Sequence, residues 1–233
     1  MTELKYDSTT TLRRIREGSP ESGRACKESY IKLLKFLGKT KADDEPVTLL
    51  QVLDSNGLDD ALWVLSYVMP EDRLARHFRA WCAEQVLHVF EAELPGDSRV
   101  RDQIDMLRND SAKAAARAAA QDAAKAAAKA AAGRDAQAAA RVAVWGDAWD
   151  SARSAQGVAQ AAAKAAAWDA AWDSLRTATW ESARAAKWEA ARAMWDAAWD
   201  SAIAASWDAS KAAGRFARDS QEDQLRKMLG EHT

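Results

Sequence analysis

Residues 188–211 read WEAARAMWDAAWDSAIAASWDASK, and this pattern of Trp followed by an acidic residue decides the fold class. Nine tryptophans lie in the 63 residues from Trp145 to Trp207, and eight of them directly precede Asp or Glu. Four residues after each Trp comes Arg, Lys or another Trp, except after Trp199, where Ile203 follows. Because positions i and i+4 share one face of an α-helix, the spacing predicts helices on which Trp rings stack over Arg or Trp side chains.

Alanine dominates the sequence around this pattern. Of residues 111–218, 48 are Ala and only seven are Val, Leu, Ile, Met or Phe. Since Ala has the highest helix propensity, we expect helices here, with Asp110 or Ser111 capping the first and Gly133 ending it. The motif Trp-x-x-x-Trp-Asp-Ser recurs at positions 145, 168 and 195, which predicts repeated helical units.

The stretch between Gly157 and Gly214 contains no Gly or Pro. A single helix there would be about 84 Å long and would turn its Trp side chains in every direction. We therefore expect at least two helices in this stretch, with a break near residues 174–179, after an earlier helix over 134–156.

Turn residues and apolar spacing predict a separate group of helices before the Ala-rich region. Expected helices run from Pro20 to Leu37, from a cap at Thr48 to Leu53, and then over 58–69, 71–94 and 97–108. No segment alternates apolar and polar residues with period two, so no sheet is expected.

Together these patterns predict an all-α protein in four parts. They are a flexible N-terminal tail over 1–18, a helical N-terminal region over 19–108, an Ala/Trp-rich helical bundle or array with internal repeats over 110–218, and a charged C-terminal helix and tail over 219–233.

Composition excludes several classes of function. The chain has 33 Lys and Arg against 35 Asp and Glu, and neither half is strongly basic, so general nucleic-acid binding is not expected. No apolar run approaches the roughly 20 residues of a membrane span, and no signal peptide is evident, so no membrane association is expected. Two cysteines, Cys26 and Cys82, are too few for a disulfide framework and favour the cytoplasm.

The Trp and Arg rows allow two interpretations. In the plainer one the rings form the core, and Trp199→Ala costs about 3–5 kcal/mol of stability. In the other, some rings line a pocket that stacks a nucleobase and binds its phosphates. The candidate ligand-binding residues are then Trp145, Trp149, Arg153, Trp168, Trp172, Arg176, Trp195 and Trp199. Neither interpretation implies a cofactor.

Two further clusters are candidate sites of chemistry. One helix face carries His77, Trp81, Glu84 and His88, of which the Glu and the second His have a spacing that can share a metal. Charges also flank the apolar segment, at Asp59, Asp60, Arg73 and Arg76. Packing and loop attachment are the expected roles of both clusters. No phosphate loop, nucleophile elbow or zinc motif is present, so we expect no metal site and a protein that is not an enzyme.

Two segments resemble a known family. They are Thr48-Leu-Leu-Gln-Val-Leu-Asp-Ser-Asn-Gly-Leu-Asp-Asp-Ala-Leu-Trp63 and Trp81-Cys-Ala-Glu-Gln-Val-Leu-His88, and they resemble immunity proteins of bacteria and phages, in the fifth numbered family of that kind. The resemblance covers about residues 28–210 and includes a compact helical region followed by a long Ala/Trp-rich tail. It implies toxin neutralisation or a role in bacterial and phage conflict, inside a bacterial cell or a phage-infected host, and implies no catalytic residues. Where relatives often have a Gly-containing connector, Asp110-Ser-Ala-Lys leads directly into Ala repeats here.

Three functions follow from the residues and the resemblance. The leading hypothesis is a non-enzymatic binding protein of a conflict system, which neutralises a protein toxin or defence protein by binding it. The alternative is a protein that sequesters a small nucleotide signal in a Trp/Arg-lined pocket. The third is a structural protein that self-assembles into a homo-oligomer through its Trp faces.

Overall fold

The computed structural model describes residues 6, 8–18, 24–145 and 188–230. Most of these residues are helical, which confirms the predicted all-α class. None of the described helices is long and apolar enough to cross a membrane.

A short two-stranded sheet and a helix lie near the beginning of the chain. Strand β1 (Thr9–Thr11) pairs antiparallel with β2 (Pro46–Thr48), with Thr10 opposite Val47. Helix α1 (Leu12–Glu17) follows β1 directly and buries Leu12 and Ile15 in the core. Over residues 8–18 the structure therefore differs from the expected loose tail, and the two strands differ from the expected absence of a sheet. Strands of three residues are too short to show the alternation on which that expectation rested.

The next elements are three helices and a π-helical turn. They are α2 (Lys27–Phe36), α3 (Leu49–Asn56), α4 (Leu58–Trp63) and the π-helical turn Val64–Val68. The predicted cap at Thr48 is confirmed, because its hydroxyl accepts the N–H of Gln51 while the Gln51 side chain accepts the N–H of Thr48. The helix expected from Pro20 begins instead at Lys27, and residues 19–23 lie outside the described part of the chain.

The next four helices pack together. Helix α5 (Arg73–Glu93) contacts α6 (Arg99–Arg108) and α8 (Arg134–Trp145), and α7 (Ala114–Ala130) packs against α6 and α8. Asp72 caps α5 by accepting the N–H of Leu74 at 2.8 Å, and Phe90 is fully buried near the other end of this helix.

Alanine forms the contact surface of the two Ala-rich helices. Two valines of α8, Val142 and Val144, are buried there together with the alanines Ala124, Ala127, Ala128, Ala136, Ala139, Ala140 and Ala143. Their small side chains allow close approach of the helix backbones. Neither Asp110 nor Ser111 caps α7, which begins at Ala114 without a side-chain cap. Nor does Gly133 end it directly, since α7 stops at Ala130, and the N–H of Gly133 donates to Glu93 at 2.8 Å.

The last described helix, α9 (Trp188–Met228), is 41 residues long. The expected separate C-terminal helix from residue 219 is therefore the continuation of α9 as far as Met228. The chain divides into two compact units, Met1–Ser151 with Asp219–Thr233, and Ala152–Arg218. Helices α7 and α8, which follow the expected boundary near residue 110, belong to the first unit.

Several expectations concern residues that the structure does not describe. The end of the helix expected over 134–156, the break near 174–179 and most of the repeated Trp units fall within 146–187. They lie outside the described residues, and the internal repeats remain a prediction.

Candidate functional site

A row of large apolar side chains lies on the surface of α9. Trp199, Ile203 and Trp207 are spaced four residues apart, so they share one helix face. Their exposed fractions are 38%, 37% and 55%, although residues of these types are usually far more buried. We call these three residues the aromatic row.

Charged residues surround the aromatic row. Asp200 and Asp208 directly follow its two tryptophans, Asp196 lies one turn before it, Lys211 lies one turn after it, and all four are exposed. An apolar centre with a polar rim is the usual anatomy of a protein-binding surface. The Trp-Asp pattern thus places an apolar centre and a charged rim on the same helix.

The aromatic row corrects one expectation from the sequence. In the plainer interpretation the Trp rings form the core, whereas Trp199 and Trp207 are exposed at the surface. The cost expected for Trp199→Ala falls accordingly, because removing a partly exposed ring leaves no closed cavity. Residues spaced at the helical period share one face of the helix. The spacing does not show which other parts of the protein cover that face.

Of the eight candidate ligand-binding residues, Trp199 is the one whose side chain the structure describes. Trp145 ends α8 and Trp195 lies in α9, while the surroundings of their side chains are outside the described part. The other five lie outside the described residues altogether, namely Trp149, Arg153, Trp168, Trp172 and Arg176. The Trp/Arg pocket therefore stays a prediction.

A second cluster, which sequence reasoning missed, gathers around Asp110 between α6 and α7. Its carboxylate accepts from Arg73 at 2.6 Å, from Arg76 at 2.9 Å and from Nε2 of His77 at 3.2 Å. The hydroxyl of Tyr6 donates to Nδ1 of the same imidazole, and the Tyr6 N–H donates to the carbonyl of Met228 at 3.3 Å. We call Tyr6, Arg73, Arg76, His77 and Asp110 the Asp110 cluster.

The Asp110 cluster holds its titratable groups in defined charge states. Burial lowers the pKa of His77, and this outweighs the opposing pull of the Asp110 carboxylate. Burial acts to raise the pKa of Asp110, but hydrogen bonds and charges from Arg76, His77 and Arg73 hold that pKa below its ordinary value. A neutral imidazole with its proton on Nε2 satisfies both contacts, since Nδ1 is then free to accept from Tyr6.

Acidification is expected to destabilise the protein through His77. Because its pKa is lower in the folded state, the unfolded chain binds more protons as the pH falls below the ordinary value of 6.5. Stability is thus present above that pH and is lost as the pH falls towards the folded pKa. Urea unfolding at pH 7.5 and 5.5 should show a larger loss for the wild type than for His77→Gln. His88 is exposed, so His88→Gln should leave the wild-type difference unchanged; equal pH profiles for wild type and His77→Gln would contradict the assignment.

The clusters weighed for chemistry have structural partners. His77 belongs to the Asp110 cluster, the Glu84 carboxylate accepts from both terminal nitrogens of Arg108, and His88 is exposed. Arg73 and Arg76 bind Asp110 rather than the acidic pair of α4. Among the described residues, no group of three His, Cys, Asp or Glu side chains is arranged to hold a metal ion.

Comparisons with known proteins complete the description of the site. No family model, no curated protein and no solved structure matches this chain.

Proposed function

We propose that this protein is a non-enzymatic binding protein that neutralises a partner protein by occupying it, with the aromatic row of α9 as the contact surface. One observation carries the proposal, namely that Trp199, Ile203 and Trp207 are exposed together at successive turns of one helix. Trp is among the residues that contribute most to protein–protein binding energy.

The spacing of the aromatic row supports a partner with an apolar groove. A helix that presents anchors at i, i+4 and i+8 is a recurring mode of recognition, in which each side chain fills a pocket of the groove. The flanking carboxylates of Asp196, Asp200 and Asp208 favour a groove with basic residues at its border.

The biological setting of the proposal rests on the sequence resemblance. The segments 48–63 and 81–88 resemble immunity proteins of bacteria and phages. A toxin or defence protein of a conflict system is therefore the proposed partner. Binding alone is sufficient for neutralisation, because a protein that covers an active surface of a toxin needs no chemistry of its own.

The test compares two exposed aromatic residues on opposite sides of α9. Phe216 follows Trp207 by nine residues, which is about half a turn around the helix, and is 74% exposed. Affinity purification from phage-challenged bacteria, followed by native mass spectrometry, should recover one stoichiometric protein with the wild type and with Phe216→Glu. Trp207→Glu should lose that protein, with a Kd at least about 30-fold weaker, as for loss of a binding hot spot.

Each other outcome of this experiment contradicts the proposal. A nucleotide-sized mass that is released unchanged on denaturation would favour sequestration of a nucleotide signal. A homo-oligomer that Trp207→Glu converts into a monomer would favour self-assembly. Equal recovery of the partner by both variants would remove the aromatic row from the interface.

A further inference from the structure

A cavity of about 400 Å³ lies in the first unit, where α1, α2, α3 and α4 meet. This volume falls within the range of about 300–1,000 Å³ that is usual for small-molecule sites. The cavity is independent of the aromatic row, and the proposed function leaves it without a role.

The floor and wall of the cavity are apolar. Buried side chains of Ile15, Leu33, Val52 and Val64 form the floor. Half-buried rings of Tyr30 and Trp63 form the wall. The Tyr30 hydroxyl donates to the carbonyl of Leu12 at 3.3 Å, and the Trp63 ring lies 6.2 Å from that of Tyr67, so both rings are held in place. Such a surface accommodates the apolar body of a ligand and places two aromatic rings where a cation can interact with them.

Charged side chains line the rest of the cavity. Asp59 and Asp60, from the first turn of α4, contribute two carboxylates, and Arg24 contributes one guanidinium. The Nδ2 group of Asn56 donates to Asp60 and also to the carbonyl of Ser29 at 2.8 Å, which fixes the Asp60 carboxylate at the cavity. Among the described residues that line the cavity, the two carboxylates outnumber the one guanidinium, which favours cations over anions.

We propose that this cavity binds a small organic cation, in which an aromatic or apolar body carries one ammonium group. The body packs on the floor and against Trp63, while the ammonium group lies at Asp59 and Asp60. The apolar floor alone does not select for charge. The paired carboxylates beside an aromatic wall do, since a cation gains both ionic and cation–π attraction there.

Cys26 can serve as a chemical probe of this cavity. Cys26 is exposed and is one of the lining residues, whereas the one other cysteine, Cys82, is buried, and burial raises the pKa of its thiol. Because the thiolate is the reactive form, iodoacetamide should alkylate Cys26 selectively in the folded protein. Intact-mass spectrometry then measures how far a ligand slows alkylation at the cavity.

The experiment uses three probes of similar size and different charge on the full-length protein. 2-Phenylethylamine should slow alkylation of Cys26 severalfold, whereas neutral 2-phenylethanol and anionic 3-phenylpropionate should have little effect. Equal protection by all three would show recognition of the apolar body alone and would overturn the proposal. Absence of protection by the amine would overturn it as well.

Two variants, one that removes a negative charge of the cavity and one that removes its positive charge, distinguish recognition of charge from loss of structure. Asp59→Asn should raise the amine concentration for half-protection about fivefold, the size expected for one exposed ionic contact. Arg24→Gln should lower that concentration, since it removes the opposing charge. Asp122→Asn on α7, a residue outside the cavity, should leave it unchanged. Weaker protection in both cavity variants would indicate a structural role and would contradict binding of a cation.

Discussion

Replacing Leu225 with Ala is expected to lower the free energy of unfolding by about 2–5 kcal/mol, the usual cost of deleting a fully buried Leu. Leu225 has no exposed surface and belongs to the hydrophobic core of the first unit, although it lies eight residues before Thr233. Urea unfolding followed by far-UV circular dichroism measures the loss.

Polar contacts beside Leu225 explain why so late a residue is part of the core. Arg226 forms an ion pair with Asp54 of α3 at 2.8 Å, and the carbonyl of Met228 accepts the N–H of Tyr6. The end of α9 is thus fixed to elements from the beginning of the chain. Truncation of Leu225 leaves these contacts but removes the apolar side chain that fills the space between them.

Phe216→Ala is the matched control for Leu225→Ala. Both residues lie in α9, but Phe216 is largely exposed, so its removal should change stability by less than about 0.5 kcal/mol. Similar losses for the two variants would show that the end of α9 does not pack as described.

Asp110→Ala is expected to lower the free energy of unfolding by about 3 kcal/mol. The side chain of Arg76 is 9% exposed, so without Asp110 its charge remains buried and loses its partner among the described carboxylates. Its hydrogen bond to the carbonyl of Leu107 at 2.9 Å offsets only part of that cost. The low end of the range for a broken buried pair applies, because Asp110 itself is 39% exposed and solvent screens its charge.

A double variant distinguishes an unpaired charge from a general loss of packing. Arg76→Met in the Asp110→Ala background removes the buried guanidinium charge that Asp110 no longer balances, so it should restore part of the lost stability. Asp122→Ala is the surface control, since Asp122 pairs with Lys125 in an exposed i,i+3 contact and should contribute below about 0.5 kcal/mol. If Asp110→Ala and Asp122→Ala have equal costs, the Asp110 cluster does not stabilise the fold.

Local signals predicted much of the described helical structure. Thr48 with Gln51 forms the predicted cap of α3, and Pro95 with Gly96 follows the end of α5. Such signals are readable in the sequence because the start and the end of a helix depend on residues a few positions apart. The Ala-rich helices follow from propensity in the same way. The pairing of Thr10 with Val47 could not be predicted from local sequence, because the two residues are distant in sequence and come together only in the folded chain.

The candidate sites were less predictable than the helices. The i,i+4 spacing placed Trp199, Ile203 and Trp207 on one face, but their exposure depends on which other elements reach that face. Asp110 was expected to cap a helix, and three side chains from α5 bind it instead. The position of a carboxylate near the start of a helix predicts a cap. Its ion-pair partners cannot be predicted in this way, because tertiary packing brings them together.

The amino-acid sequence by itself determined the helical class, the cap of α3, the end of α5, and the periodic placement of Trp beside acidic residues. These features depend on backbone propensity and on contacts within about one helical turn. Only the tertiary structure decided that the end of α9 joins the first unit, that Asp110 gathers Arg73, Arg76 and His77, and that Trp207 faces solvent. Burial and charge pairing are sums over neighbours from distant parts of the chain, so they follow from the packed fold.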